Sequence, residues 1–192
     1  MKKSSPQNLK KPQEKKASGG DASKRQAKGA SASSTQTAAA RRAAEAQLTT
    51  LLTTFAPDSL RQIAALRRAL RKRLPTAHEV VYEYRDCCVI SVSPTEQGYD
   101  GVFAIRASAD AVKLYFNQGK GLPDPGKVLQ GSGGQARWIE TKGAATLARP
   151  EVAALVETAI ASTRVPFEAA GRGSVIVRET TASKQTQARK RT

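Results

Sequence analysis

The stretch Lys113–Ile139, reading KLYFNQGKGLPDPGKVLQGSGGQARWI, constrains the fold more than any other part of this chain. It is entered through Val112, Leu114 and Phe116, which alternate with Lys113 and Tyr115 in the period-2 pattern of a half-buried strand. Six glycines and two prolines follow, and no continuous helix or strand runs through such a series. The chain therefore crosses residues 117–136 as an irregular loop and returns at Arg137-Trp138. A loop longer than about 12–15 residues within a compact domain is either functional or unstructured. Leu122, Val128 and Leu129 are spaced through this one as anchors onto a core.

Charge divides the rest of the chain. Residues 1–42 hold eleven Lys/Arg against two acids, and 180–192 hold four against none. Thirteen of the sixteen net positive charges thus lie in the two ends, and 43–179 carries only three. End segments so poor in large apolar residues cannot offset their ordering entropy by burial. Disordered basic tails are expected at 1–42 and 180–192, flanking a domain at 43–179 that is large enough for its own core. No apolar run approaches the roughly 20 residues that span a bilayer, and no apolar export segment follows Met1-Lys2-Lys3. A cytoplasmic protein without membrane association is expected. Cys87 and Cys88 are neighbours on a predicted strand and point to opposite faces, which argues against a disulfide between them and for a reducing compartment.

Within the domain, Ala44, Leu48, Leu51, Leu52 and Phe55 predict a first helix over 41–55 with one narrow apolar face. Pro57 suits the first position of a second helix running to Arg73. Leu60, Ile63, Leu66, Leu70 and Leu74 are its inward set, and Arg61, Arg67, Arg68, Arg71, Lys72 and Arg73 its outward set. That basic face is either solvated or a phosphate-binding surface. Pro75 ends it. A hairpin turning at Arg85-Asp86, with Val80 and Tyr82 on one arm and Cys88, Ile90 and Val92 on the other, begins an antiparallel meander that continues through 101–106 and 111–116 and, past the loop, 137–141. Arg149-Pro150 starts a further helix with Val152, Leu155, Val156, Ala159 and Ile160 at core spacing, and Pro166 stops it. Ser174–Val177 is either a short edge strand or the start of the tail. The pattern predicts an α+β fold: an antiparallel sheet of about five strands packed against two to three helices.

The strand end Lys113-x-x-Phe116 and the loop residues Leu122, Asp124, Pro125, Leu129, Gly131, Gly133 and Arg137 resemble the YdhG-like family, also called domain of unknown function 1801. The resemblance spans roughly Leu51 to Val165. It implies a small α+β domain, and some members are described as frataxin-like iron chaperones, which makes intracellular iron binding the alternative function. The chain departs from the family at Gly134, where a lysine often follows the second loop glycine.

The residues themselves argue for a binding protein rather than an enzyme. His78 is the only histidine, so a Cys/His zinc centre has too few ligands. Iron calls for clustered carboxylates or imidazoles, whereas the second helix offers only Asp58, and Glu79 and Glu83 read as solvated or paired with neighbours such as Arg85. No nucleophile–base triad, metal-hydrolase or phosphate-loop spacing occurs, and no cofactor is expected. A small anionic ligand is accommodated on paper by loop N–H groups at Gly131 and Gly133 with Lys113, Lys120, Lys127 and Arg137. The other reading of these glycines is a chain reversal, with Trp138 either in the core or stacking on a ring. Lys2, Lys3, Lys10, Lys11, Lys15, Lys16, Lys184, Arg189, Lys190 and Arg191 are placed to bind nucleic acid or another polyanion by counterion release, or else to solubilise.

Overall fold

The computed structural model describes residues 36–178. Helix α1 (Ala38–Leu52) opens with the Thr37 hydroxyl accepting from the Ala40 N–H. Residues 36–42, read above as tail, thus contain the cap and first turn of a helix, and Gln36 exchanges two hydrogen bonds with the backbone of Val175. After Thr53–Ala56, helix α2 (Pro57–Arg73) starts on Pro57 as its spacing predicts. Five strands then form a meander: β1 (His78–Glu83), β2 (Cys87–Ser93), β3 (Phe103–Ser108), β4 (Val112–Phe116) and β5 (Arg137–Glu140). The short helix α3 (Ala144–Ala148) and helix α4 (Pro150–Ala161) lead to β6 (Val175–Arg178). Helix α4 ends at Ala161, before Pro166 is reached.

The fold class is α+β, but the sheet differs from the expected one. It has six strands in the order β5-β4-β3-β2-β1-β6, and β6 runs parallel to β1 while every other pair is antiparallel. Residues 174–177, left open between strand and tail, are therefore the parallel edge of a mixed sheet. A parallel neighbour needs a long crossover, and the intervening chain from β2 to α4 supplies it.

One face of the sheet is the core. Across it run Val177, Val81, Ile90, Ile105, Leu114 and Ile139 in direct register. Leu48 and Leu52 of α1, Ile63, Leu66 and Leu70 of α2, and Val152, Leu155 and Val156 of α4 complete the same cluster. Phe103 and Phe116, paired across β3–β4, meet edge to face at 5.5 Å between ring centroids, a favoured aromatic geometry. Cys88 lies in this core and Cys87 on the other face, as strand alternation requires. Burial pushes the Cys88 thiol up to about 11, so it stays protonated and inert.

Glu79 also lies on the core face and is only 2% exposed. Of the two readings, solvated or paired, it is paired, though with Arg67 and Arg71 rather than Arg85, because α2 brings its own cations down onto the sheet. Arg67 donates to both Glu79 oxygens, with Nη2–Oε2 at 2.6 Å, and Arg71 donates to Oε2. Glu45 of α1 accepts from Arg67 at 2.9 Å and from Arg71 at 2.6 Å. Burial opposes the Glu45 charge, yet the hydrogen bonds from Arg71 and Arg67 outweigh it and hold the carboxyl below its ordinary range. Two of the six bases assigned to an outward face, Arg67 and Arg71, are thus engaged by the fold and half-buried. Glu79→Ala leaves Arg67 and Arg71 partly buried without the more buried of their two shared anions and is expected to cost about 3 kcal/mol; urea unfolding of the variant measures it.

His78 starts β1 and is buried, its Nδ1 accepting from the Ser174 N–H at 3.2 Å. Burial pushes its pKa down, assisted by Arg41 and opposed by Glu96 and Glu168. The unfolded chain, with a histidine near 6.5, therefore takes up a proton before the folded one does. Stability is full above about pH 6.5 and declines as pH falls toward the lowered folded value. Thermal melts of the wild type and of His78→Gln from pH 7.5 to about 5 are expected to show a shallower acid decline in the variant.

Candidate functional site

The loop between β4 and β5 holds itself together. A single 3₁₀ turn at Gly119–Gly121 leaves β4, and the Lys120 N–H donates to Gln135 O at 2.8 Å. Asp124 then closes the Asp-Pro-Gly-Lys turn. Its two carboxylate oxygens accept from the N–H groups of Val128 at 3.0 Å and Leu129 at 2.8 Å, an Asx-type arrangement suited to a short acid at a turn. Lys127 takes a positive φ of 49° to complete it. Leu122, Val128 and Leu129 pack half-buried on the core, as their spacing predicts. Gln130 pairs with Trp138 through two backbone hydrogen bonds of 2.8 and 3.0 Å, which lays the loop along the edge of β5. Gly131, at φ 103°, lies so close that a Cβ there would come within 3.0 Å of Trp138 Nε1.

These contacts disperse the anion site expected from the sequence. Arg137 spends its guanidinium on the loop, donating to Gly133 O at 2.7 Å and Ala136 O at 2.8 Å. Gly131 faces the Trp138 ring edge and Lys127 is exposed on the outer turn. Lys120 lines a separate cleft of about 820 Å³ between the 117–122 segment, the 98–102 turn and the C-terminal end of α4. That cleft also carries Arg164, but Asp100 and the carbonyl end of a helix offset their charge. Lys113 belongs to neither place. Its ammonium stands 3.7 Å from the centroid of the Trp138 ring, a cation–π contact on the side of the sheet away from the helices. The ten tail bases, from Lys2 to Lys16 and from Lys184 to Arg191, lie outside the described residues.

That second face is where chemistry-bearing side chains gather. One row across it is Arg178, Tyr82, Val89, Arg106, Lys113 and Glu140, and the next is Ile176, Val80, Ser91, Ala104, Tyr115 and Trp138. Over β1 and β2 the face is covered by the 94–101 segment, whose Gly98 O accepts from the Ser91 hydroxyl at 3.0 Å and whose Glu96 O accepts from Arg178. Gly98 sits against the Tyr82 ring. Over β3–β5, Arg106 is exposed, and Lys113, Tyr115 and Trp138 are half-exposed. The Tyr115 and Trp138 rings lie 6.5 Å apart at 37°. Beside Arg106, the Tyr115 hydroxyl and the Cys87 thiol hold its pKa up. Sequence reasoning named Lys113, Tyr115 and Trp138 but missed Arg106. Its signal was the polar position between Ile105 and Ala107 in a strand otherwise apolar from Val102 to Ala107.

Fold and surface together define an α+β domain whose sheet is covered by helices on one face and partly bare, basic and aromatic on the other. Compared with protein-family models, curated proteins and solved structures, the chain matches none. Among the described residues no three His, Cys, Asp or Glu side chains gather as a metal site, and no helix is long and apolar enough to cross a membrane. Gly131→Ala places a Cβ against the indole at a φ that L-residues avoid, so a strain of about 1–3 kcal/mol is expected. The check is a lower melting temperature together with a shifted Trp138 emission maximum, since Trp138 is the only tryptophan.

Proposed function

We propose that this chain is a cytoplasmic, non-enzymatic binding protein of the YdhG-like kind whose partner is nucleic acid. The observation that carries the reading is the segregation of charge: thirteen of sixteen net positive charges in the two ends and three in the domain between them. Lys and Arg strung along such segments neutralise phosphates and release condensed counterions, giving affinity without sequence readout. The tails contain no aromatic residue, so stacking on bases is not theirs to supply. The exposed Arg68, Lys72 and Arg73 of α2 add to the same field, while Arg67 and Arg71 are occupied by Glu45 and Glu79. The iron-chaperone reading finds no clustered ligands among the described residues to support it.

The test is the affinity of the full chain and of residues 36–178 for a generic DNA duplex across a salt series. Full-chain binding is expected to weaken about 10³-fold between about 50 and 200 mM salt, as for six or more phosphate contacts. The shortened chain is expected to bind far more weakly and with a smaller slope. Absence of duplex binding by the full chain at low salt overturns the proposal.

A further inference from the structure

The bare half of the second sheet face combines two features that a polyanion tether does not need. Arg106 and Lys113 stand directly opposite each other on adjacent antiparallel strands, and like charges in that position destabilise a sheet. The neighbouring acid in the row, Glu140, lies opposite Lys113 on β5, yet the Lys113 ammonium is over the Trp138 ring instead. Two cations held side by side on a half-exposed surface suit a ligand that carries negative charge. The second feature is a pair of rings: Tyr115 and Trp138 are cross-strand partners and form a shallow aromatic platform, with Arg106 beside Tyr115 and the Lys113 ammonium over Trp138. A further pair, Tyr82 and Tyr84, lies on the same face with ring centroids 6.5 Å apart, and Tyr84 is 48% exposed. Strands are spaced by about 4.8 Å, so Arg106 on β3 falls between the strands that carry the two aromatic pairs, β1 on one side and β4 on the other.

We infer that this face binds single-stranded nucleic acid, with a base stacked at the Tyr115–Trp138 platform and flanking phosphates on Arg106 and Lys113. The chemistry fits a single strand: its bases are free to leave one another for an aromatic surface, and its phosphates recur alongside them. In a duplex the base faces are already stacked and only phosphates and groove edges are offered. The inference rests on the nucleic-acid reading above and assigns the domain a role that the tails cannot perform.

Trp138 reports on this directly, because no other tryptophan contributes to the emission. The experiment titrates the full chain with oligothymidylate, with a duplex of equal length and with inorganic polyphosphate, following Trp138 emission and, by competition with a fluorescein-labelled oligonucleotide, affinity. Oligothymidylate is expected to quench Trp138 at saturation, and polyphosphate to compete for the protein without quenching. Arg106→Gln, a substitution at an exposed position, and Tyr115→Ala are each expected to weaken oligothymidylate binding by about tenfold, and Tyr115→Ala, which removes a ring and no charge, is expected to leave polyphosphate affinity unchanged. If oligothymidylate binds with unaltered emission and equal affinity in both variants, the sheet face has no part and the inference falls, while the tail reading stands. Equal quenching by polyphosphate overturns stacking in favour of a simple anion site. A dimer in sedimentation equilibrium that Arg106→Glu dissociates, together with emission indifferent to oligothymidylate, assigns the face to a second copy and overturns it equally. If none of the three polyanions binds, the inference and the reading beneath it both fail.

Discussion

The carboxylate of Glu79 ties three elements together by hydrogen bonds. It sits on the core face of β1, accepts from Arg67 and Arg71 on successive turns of α2, and shares both arginines with Glu45 of α1. Each oxygen and each guanidinium depends on the others, since a half-satisfied buried network is costlier than an apolar core. Leucine side chains tolerate a helix that rotates or slips by a fraction of a turn. Hydrogen bonds of 2.6–2.9 Å from Arg67 and Arg71 to carboxylates on a strand and on a second helix do not. The network thus sets where α1 and α2 lie on the sheet, whatever its net contribution to stability.

That constraint redistributes the charge of the molecule. Read as a wheel, α2 is a uniformly basic helix and the obvious polyanion surface. In the folded chain Arg67 and Arg71 are turned inward, Arg61 is paired with Asp58, and Arg73 lies 3.6 Å from Glu157. What remains outward on α2 is sparse. The concentrated, ring-associated cations are instead on the other side of the sheet, where Arg106 and Lys113 face each other beside Tyr115 and Trp138. The same number of bases therefore specifies two different things: registration of helices on one face and a charged surface on the other.

How much of this was legible in the sequence follows from how local each feature is. The span of α2, the Arg85-Asp86 hairpin, the four-strand meander and the opposed faces of Cys87 and Cys88 rest on neighbours in the chain, and periodicity with Pro and turn residues locates them. The parallel pairing of β6 with β1 joins residues almost a hundred positions apart, and a four-residue apolar run carries no mark of its partner. The buried state of Glu79 was hidden for a related reason. Both Val80 and Val81 are apolar, so alternation in β1 does not say which of its faces meets the helices, and a glutamate on the core face looks like one in water until Arg67 and Arg71 are seen above it. Of the two readings of the loop glycines, the contacts of Arg137 and Gly131 describe the chain reversal, and cations close in sequence are not gathered in space.

The loop between β4 and β5 is held by contacts of its own. Asp124 folds the turn, Arg137 holds the Gly133–Ala136 segment, and Gln130 pairs with Trp138 so that the loop runs alongside the short strand β5. An edge strand of four residues presents unpaired backbone groups and is weakly held; the loop supplies the missing neighbour at Trp138. Gly131 suits that position because its φ of 103° strains any L side chain and a Cβ would press on the indole. Twenty residues of irregular chain thereby fix the orientation of one ring, and the ring in turn holds the Lys113 ammonium above it. The Gly/Pro-rich stretch and the bare face of the sheet are parts of one device, with the loop as frame and Trp138 as the surface it frames.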